Sequence, residues 1–447
     1  MIQFGSRIEM LVDSYLLAET ENVTFRKTEP RPLGKVIGFD APWEGLGSLG
    51  MTVFDDGEQI RCYYRGFPST QSDLSERQTS CLSVSTDGLN FTPYPVNTIE
   101  YDGIRENNIV RMDVMCHNFA PFYDENPACR PDERYKAIGG LIQTGGISVF
   151  ASPDGIHWHP MADHPVITKG AFDSMNMAFW NPATGKYHCY FRYMDFSLKS
   201  ETMPYGCRAI QSCTSEDFLH WTEPVPNEYE EGHPTDQFYT NATRPVPGAE
   251  HILVSVPMRF QEARTKVPDY NGNVHGSQGV SDAVFMTSRD GVYWDRTLKD
   301  AWLSGSLYEH EWTQRNFITL GGIIEREDQF YIYTMKNYMW DDDGIWAYSV
   351  PKYRFLSLYA DRTGGSFTTK PLCFTADDLY LNYSTSAYGS VQITIRDENG
   401  AEIYTSDEIY GNELSYGLHI DGLTGRTGTM TVRLCEAHVY ALGSRMQ

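Results

Sequence analysis

No stretch of this sequence is apolar for long enough to span a bilayer, and it holds no CxxC pair, Walker loop, placed dinucleotide fingerprint, G-x-S-x-G elbow or H-E-x-x-H pair. These absences argue against membrane helices, structural zinc, nucleotide enzymes, serine hydrolases and zinc peptidases. Sustained 3.6-residue periodicity is missing too, which argues against a helical bundle. Positive charge is scarce: 36 Lys and Arg stand against 59 Asp and Glu, for a net charge of −23. Neither nucleic acid nor an anionic membrane is an expected partner of such a surface. The first twenty residues, "MIQFGSRIEMLVDSYLLAET", lack a basic stretch and a continuous apolar core. A signal peptide is therefore not expected, and the cytoplasm is the expected location.

What the chain does have is aromatic: 13% of its residues, including 29 Tyr, with only 21% charged. That mixture belongs to a packed β protein. The nine cysteines are odd in number, and several sit in apolar strand-like runs such as "KYHCYFRY", so buried free thiols are expected rather than disulfides.

One motif recurs: "STDGLNF" at Ser85, "SPDGIHW" at Ser152, "SEDFLHW" at Ser215 and "SRDGVYW" at Ser288. Asp87, Asp154, Asp217 and Asp290 suit Asx turns, and Gly88, Gly155 and Gly291 supply positive φ, with Phe218 in the third copy. Alternating strands such as "SCLSVS" and "GISVFA" precede each copy, and an aromatic residue begins the next strand. Each motif therefore reads as a hairpin turn, and its aspartates as structural.

A second repeat runs out of phase with the first. "GMTVF" (Gly50), "NFAPF" (Asn118), "NMAFW" (Asn176), "NATRP" (Asn241) and "NFITL" (Asn316) each open an apolar strand, followed by a second strand that is usually Tyr-rich. Five four-stranded units follow from this, the fifth without the turn motif. The expected fold is all-β, a five-bladed β-propeller over residues 37–355 that carries the site. Residues 1–36 are expected as strands clasping the propeller or its neighbour, and residues 356–447 as a β-sandwich. The sandwich is also a candidate surface for a homo-oligomer.

The Asn-led strands are taken as innermost, so residues just ahead of them would ring the mouth of the propeller. Acids stand there: Glu44, Asp113, Asp173, Asp236 and Glu311, with Asp282 opening a third strand toward the same rim. Clustered carboxylates suit glycosidic chemistry, in which one acid protonates the leaving oxygen and a second group attacks or activates water. Asp173, Glu44 and Asp282 are the candidate catalytic set. Sugar hydroxyls need amides and Arg, and sugar faces need rings. His117, Asn118, Asn176, Asn241, Tyr239, Arg259, Arg315 and Trp43 can serve, with Asp113, Asp236 and Glu311 as further binding candidates. Acids before strands are also common in so acidic a chain, and buried Asn often ties loops to backbone. "WDDDG" at Trp340 reads as a solvated loop, and neither a metal nor a cofactor is expected.

With five blades, "SxDGxxW" turns and a terminal sandwich, the chain resembles the five-bladed propeller glycosidases, the relatives of glycoside hydrolase families 32, 43, 68 and 130. "CHNFAPFYDENP", "FDSMNMAFW", "QFYTNATRPVPGAEHI" and "GVSDAVFMTSRDGVYW" are similar to a bacterial family-32-like group. The resemblance implies a glycosidase acting on a small glycoside or oligosaccharide. The Asn-Asp-Pro, Arg-Asp-Pro and Glu-Cys motifs of invertase-like enzymes are absent, so no catalytic residue is carried over from them. A glycoside phosphorylase and a non-catalytic carbohydrate-binding propeller remain alternatives.

Overall fold

A computed structural model describes residues 1–68, 74–267 and 279–446. The described residues contain no α-helix, only short 3₁₀ turns between strands. Six sheets form the five blades of a propeller, two of them sharing blade 4. Blade 1 runs outward through Leu49–Asp55, Ile60–Gly66 and Thr79–Ser85 to Ile109–Met112. Blade 2 has Ala120–Tyr123, Tyr135–Gly139, Ser148–Ser152 and His159–Pro160. Blade 3 has Met177–Asn181, Lys186–Asp195, Cys207–Ser215 and Val225–Pro226.

Blade 4 is broken into two three-stranded pieces. Ala249–Ser255 and Met258–Gln261 belong to different ladders, with Pro257 between them. A proline has no N–H to give the ladder, so the strand changes partners there. Blade 5 comprises Ile318–Thr319 with Ile324–Arg326, then Gln329–Lys336 and Gly344–Pro351. Its outermost strand, Arg31–Gly38, comes from the N-terminal side of the chain and closes the ring. The fifth unit lacks the turn motif for this reason: no hairpin is needed where the last strand arrives from elsewhere.

The four motif turns are built alike. Asp87 Oδ1 accepts the N–H groups of Leu89 and Asn90, both at 2.8 Å, and Asp154, Asp217 and Asp290 repeat the pair. The motif serine Oγ accepts the N–H of the fourth residue at 2.8 to 3.0 Å in every copy.

Neighbouring blades are stitched through these turns. The Tyr63 hydroxyl donates to the Gly155 carbonyl, Tyr190 to Gly291 and Tyr333 to Gly88, each at 2.8 Å. A Cβ on Gly155 would stand 2.5 Å from the Tyr63 oxygen, where φ is +76°. In blade 2 the ladder puts Ile138 at the register position that Tyr63 and Tyr190 hold in theirs. With no hydroxyl to receive, the third turn carries Phe218, fully buried in one cluster with Ile138 and packed on Phe122 and Tyr187. Its φ of +68° costs about 1–2 kcal/mol, which burying a phenyl ring, at about 1.5–3 kcal/mol, offsets.

The second unit is an eleven-stranded sheet. Four N-terminal strands, from Ile2–Phe4 to Thr24–Lys27, pair with the seven that begin at Leu356–Ala360. Its long strands, Asp378–Asp397 and Thr427–Gly443, pair along most of their length, with a shift between Thr385 and Ser390. The sheet folds there into a sandwich around Phe4, Leu381, Ile393, Val432 and Val439. A separate apolar cluster containing Met10, Phe285, Trp302, Phe330 and Phe355 joins sandwich to propeller. All nine cysteines are free thiols, and six of them are buried.

Replacing Gly155 with Ala should lower stability by about 1–3 kcal/mol through φ and the Tyr63 contact together. Gly185→Ala, at φ +65° with open space around it, isolates the φ effect. Urea midpoints that fall equally in the two variants would remove the stitch from the account.

Candidate active site

All five blades contribute to one pocket on the propeller axis. Blade 1 supplies Gly50, Arg65 and Phe67, and His117 precedes blade 2. Asp173, Ser174 and Met175 precede blade 3, Tyr239 and Thr240 belong to blade 4, and Arg315, Ile318 and Tyr338 to blade 5. The pocket is small, about 80 Å³.

His117 ends the 3₁₀ turn Val114–His117, which Asp113 caps by accepting the Met115 N–H at 2.9 Å. Its Nδ1 lies 3.0 Å from Gln78 Oε1, and the Arg65 guanidinium reaches both its ring, at 3.3 Å, and its carbonyl, at 3.2 Å. Burial, then the charges of Arg65, Arg315 and Arg192, push the His117 pKa well below the usual histidine range, so the imidazole is neutral near pH 7.

Asp173 is the one acid among the described lining residues. Its carboxylate is ion-paired with Arg192, yet 49% of its side chain stays open while that of Arg192 is 6% exposed. The pair is therefore anchored from below and presents oxygen to the pocket. Next to it, Ser174 Oγ donates to the Tyr239 carbonyl at 2.5 Å, tying blade 3 to blade 4.

Tyr239 lies among cations. Arg315 donates to its hydroxyl at 3.3 Å, and the guanidinium carbons of Arg192 and Arg208 stand 5.0 and 5.3 Å from its ring centre. Burial alone would raise the phenol pKa, but the charges of Arg315 and Arg192 outweigh it and bring it below its ordinary value. Arg315 also donates to the Tyr338 hydroxyl at 2.9 Å. Arg315, Phe317, Asn337 and Met339 all have left-handed backbone, with φ of +59° to +69°. Four such non-glycine residues beside one pocket form a local store of backbone strain, the pattern found where side chains are held for function.

Of the residues proposed from sequence, Asp173, His117, Tyr239 and Arg315 meet in this pocket. Asp236, Arg259 and Asp282 line a second pocket in blade 4, with their charges already matched. Arg259 holds Asp282 through two bonds, 2.9 and 2.7 Å, and Arg296 holds Asp236 at 2.6 Å. Glu44 lies in neither pocket. It accepts from the Ala41 N–H at 2.9 Å and the Tyr64 hydroxyl at 2.8 Å, and burial raises its pKa. Trp43 packs in the same core and donates to Asn108 at 3.0 Å. Glu311 is ion-paired with Lys336; burial works against its charge, but Lys336 and the Ser306 N–H hold its pKa low.

The asparagines are ties. Asn118 donates to the Gly140 and Phe172 carbonyls, Asn176 to Phe172, and Asn241 to Met175 and Tyr190. Arg65, Arg192 and Tyr338 were not among the sequence candidates. The arginines had a signal: "CYYR" at Cys62 and "CYFR" at Cys189 put Arg two residues after the stitching tyrosine in two blades.

No family model matches the chain, and no curated protein matches it in sequence. Among solved structures, a glycoside hydrolase is 12% identical, with a TM-score of 0.45 over 72% of this chain and 92% of its own. An N-acetylgalactosamine deacetylase from F. plautii is 11% identical, with a TM-score of 0.42 over 90% and 95%. The family 32 β-fructofuranosidase of Bombyx mori is 8% identical, with a TM-score of 0.41 over 93% and 94%. These are likenesses in the path of the chain; the five blades and their ladders define the fold on their own.

In an alkaline titration followed at 295 nm, one phenol should ionise ahead of the ordinary tyrosines. Tyr239→Phe should delete that step and Arg315→Gln should move it upward. A curve unchanged by Tyr239→Phe would show that the cations do not act on this ring.

Proposed function

We propose that the protein is a glycoside hydrolase that takes one terminal sugar unit end-on in the axial pocket. One observation carries this reading: where all five blades meet, a half-open carboxylate, Asp173, stands in a small pocket with an acidified phenol, Tyr239. Cleaving a glycoside needs a proton for the leaving oxygen and a nucleophile or base at the anomeric carbon. Asp173, ion-paired with Arg192, acts at the anomeric carbon, directly or through water. Tyr239, with its proton loosened by Arg315 and Arg192, donates to the leaving oxygen. The closeness of the walls favours a terminal ring over the interior of a polymer.

A phosphorolytic reading rests on the arginines of the same pocket. In it a phosphate oxygen replaces water at the anomeric carbon, and sugar phosphate is the product.

The test is product analysis on a panel of aryl glycosides and oligosaccharides, with and without phosphate. Free sugar is expected from the wild-type protein, with kcat lowered about 10²–10⁴-fold in Asp173→Asn and in Tyr239→Phe. Sugar phosphate formed only when phosphate is present selects phosphorolysis. Full rates in both variants would remove these two residues from the mechanism, and saturable sugar binding without product would make the protein a binding propeller.

A further inference from the structure

Trp312 is the most exposed of the nine tryptophans, with 39% of its surface open. It ends the 3₁₀ turn Glu309–Trp312 and lines the blade 4 pocket, which has a volume of about 350 Å³. The indole is held by its edge. Its Nε1 donates to the Ser306 carbonyl at 2.7 Å, and a Cβ on Gly305 would stand 2.9 Å from the ring. A large apolar ring left exposed yet held in place is the unusual case on a protein surface. The same pocket holds the Arg259–Asp282 pair, whose side chains are each 25% exposed. Asp236 is held by Arg296, so both aspartates among the described lining residues are paired, and the pocket suits a polar ligand without charge.

This pocket adjoins the axial one. Tyr239 lines the axial pocket and Phe260 the blade 4 pocket, and the two rings meet edge to face with centres 5.8 Å apart. The chain from Ser304 to Ile318 serves both, giving Ser304, Gly305 and Trp312 to one and Arg315 and Ile318 to the other. In the hydrolase reading above, on which this part rests, Tyr239 protonates the leaving oxygen. A bond cut there leaves the terminal sugar in the axial pocket and the leaving group on the side of Phe260. Sugars offer C–H faces to aromatic rings and hydroxyls that both donate and accept, which a tryptophan and a guanidinium–carboxylate pair answer together. The volume lies within the range of small-ligand sites, about 300–1,000 Å³. We propose that the blade 4 pocket is the subsite for the leaving-group sugar, stacked on Trp312 and bonded by Arg259 and Asp282. The substrate class is then an uncharged oligosaccharide rather than a simple glycoside.

Calorimetric titration of the full chain tests this, in an Asp173→Asn background that slows turnover. The probes are methyl glycosides, disaccharides and trisaccharides of β-linked glucose, galactose, xylose and mannose and of α-linked arabinose. In at least one series, affinity is expected to rise about tenfold or more from the methyl glycoside to the disaccharide or trisaccharide. Trp312→Ala should cut that gain to about threefold or less, and Trp312→Phe, which keeps a ring, should retain an intermediate part. The gain is a ratio within one variant, so a general loss of folded protein does not imitate the result. Indole emission gives a second readout: the longer sugars should change it less in Trp312→Phe than in the parent. Longer sugars binding no better than methyl glycosides in every series would overturn the subsite. So would a gain kept in full by Trp312→Ala, or no binding by any probe. Product analysis of the wild-type protein on the same sugars separates the two readings. Length-dependent binding through Trp312 with no cleavage in any series would end the hydrolase reading and leave the Trp312 site standing. Cleavage of methyl glycosides with no gain from length would do the reverse.

Discussion

The stitch between blades, a tyrosine hydroxyl donated to the carbonyl of the next turn, is the constraint on which the pocket depends. It ties the second strand of blades 1, 3 and 5 to the following blade, through Tyr63, Tyr190 and Tyr333. Side chains two residues apart in a strand share a face, so whatever follows the tyrosine by two emerges nearer the mouth on that face. In blades 1 and 3 that residue is arginine, Arg65 and Arg192. A one-residue slip of either strand would turn both tyrosine and arginine to the opposite face. The interaction that closes the ring thus also aims its cations, which links inter-blade stability to the electrostatics of the axis.

Charge is distributed by the same economy. Acidic residues dominate the surface, and several of the buried ones are matched by a cation. Asp124 meets Lys136 at 2.6 Å, Asp56 meets Arg61 at 2.5 Å, and Glu9 meets Arg289 at 2.7 Å. Removing one partner of such a pair strands the other in a medium that solvates it poorly, so the pairs are costly to disturb whatever their net worth.

Much of the architecture was legible because turns and ladders obey local rules. The Ser-x-Asp-Gly spacing identified four hairpins, and their recurrence pointed to blades. The fifth blade carried no motif because its outer strand is Arg31–Gly38, a pairing across some 300 residues that local chemistry does not announce. Blade 4 reads as continuous strand until Pro257, whose missing N–H splits the sheet. Among site residues, Asp173 was readable by its offset ahead of an inner strand, and His117, Tyr239 and Arg315 by the sugar-binding chemistry of their side chains. The same offset also selected Glu44 and Glu311, whose partners Tyr64 and Lys336 lie on other strands and appear only once the sheets form. Arg65 and Arg192 were passed over because a Tyr-rich strand reads as core.

The sandwich bears on the site through one turn. Arg289, the variable residue of the fourth Ser-x-Asp-Gly motif, bonds Glu9 and Asp13, both from the N-terminal segment. Burial works against the Glu9 charge, but His251 and Arg289 hold its pKa at about 2. The unfolded carboxyl sits near 4.5, so this contribution is complete above that pH and is lost as pH falls toward 2. The fourth turn is also the one that receives Tyr190, two residues before Arg192. A single hairpin therefore sits between the sandwich clamp on one side and the strand that carries the arginine paired with Asp173 on the other. Loosening the clamp reaches Arg192 through two contacts, Arg289 to Glu9 and Tyr190 to Gly291, and this makes the N-terminal segment a support of the axis as well as an edge of the sandwich.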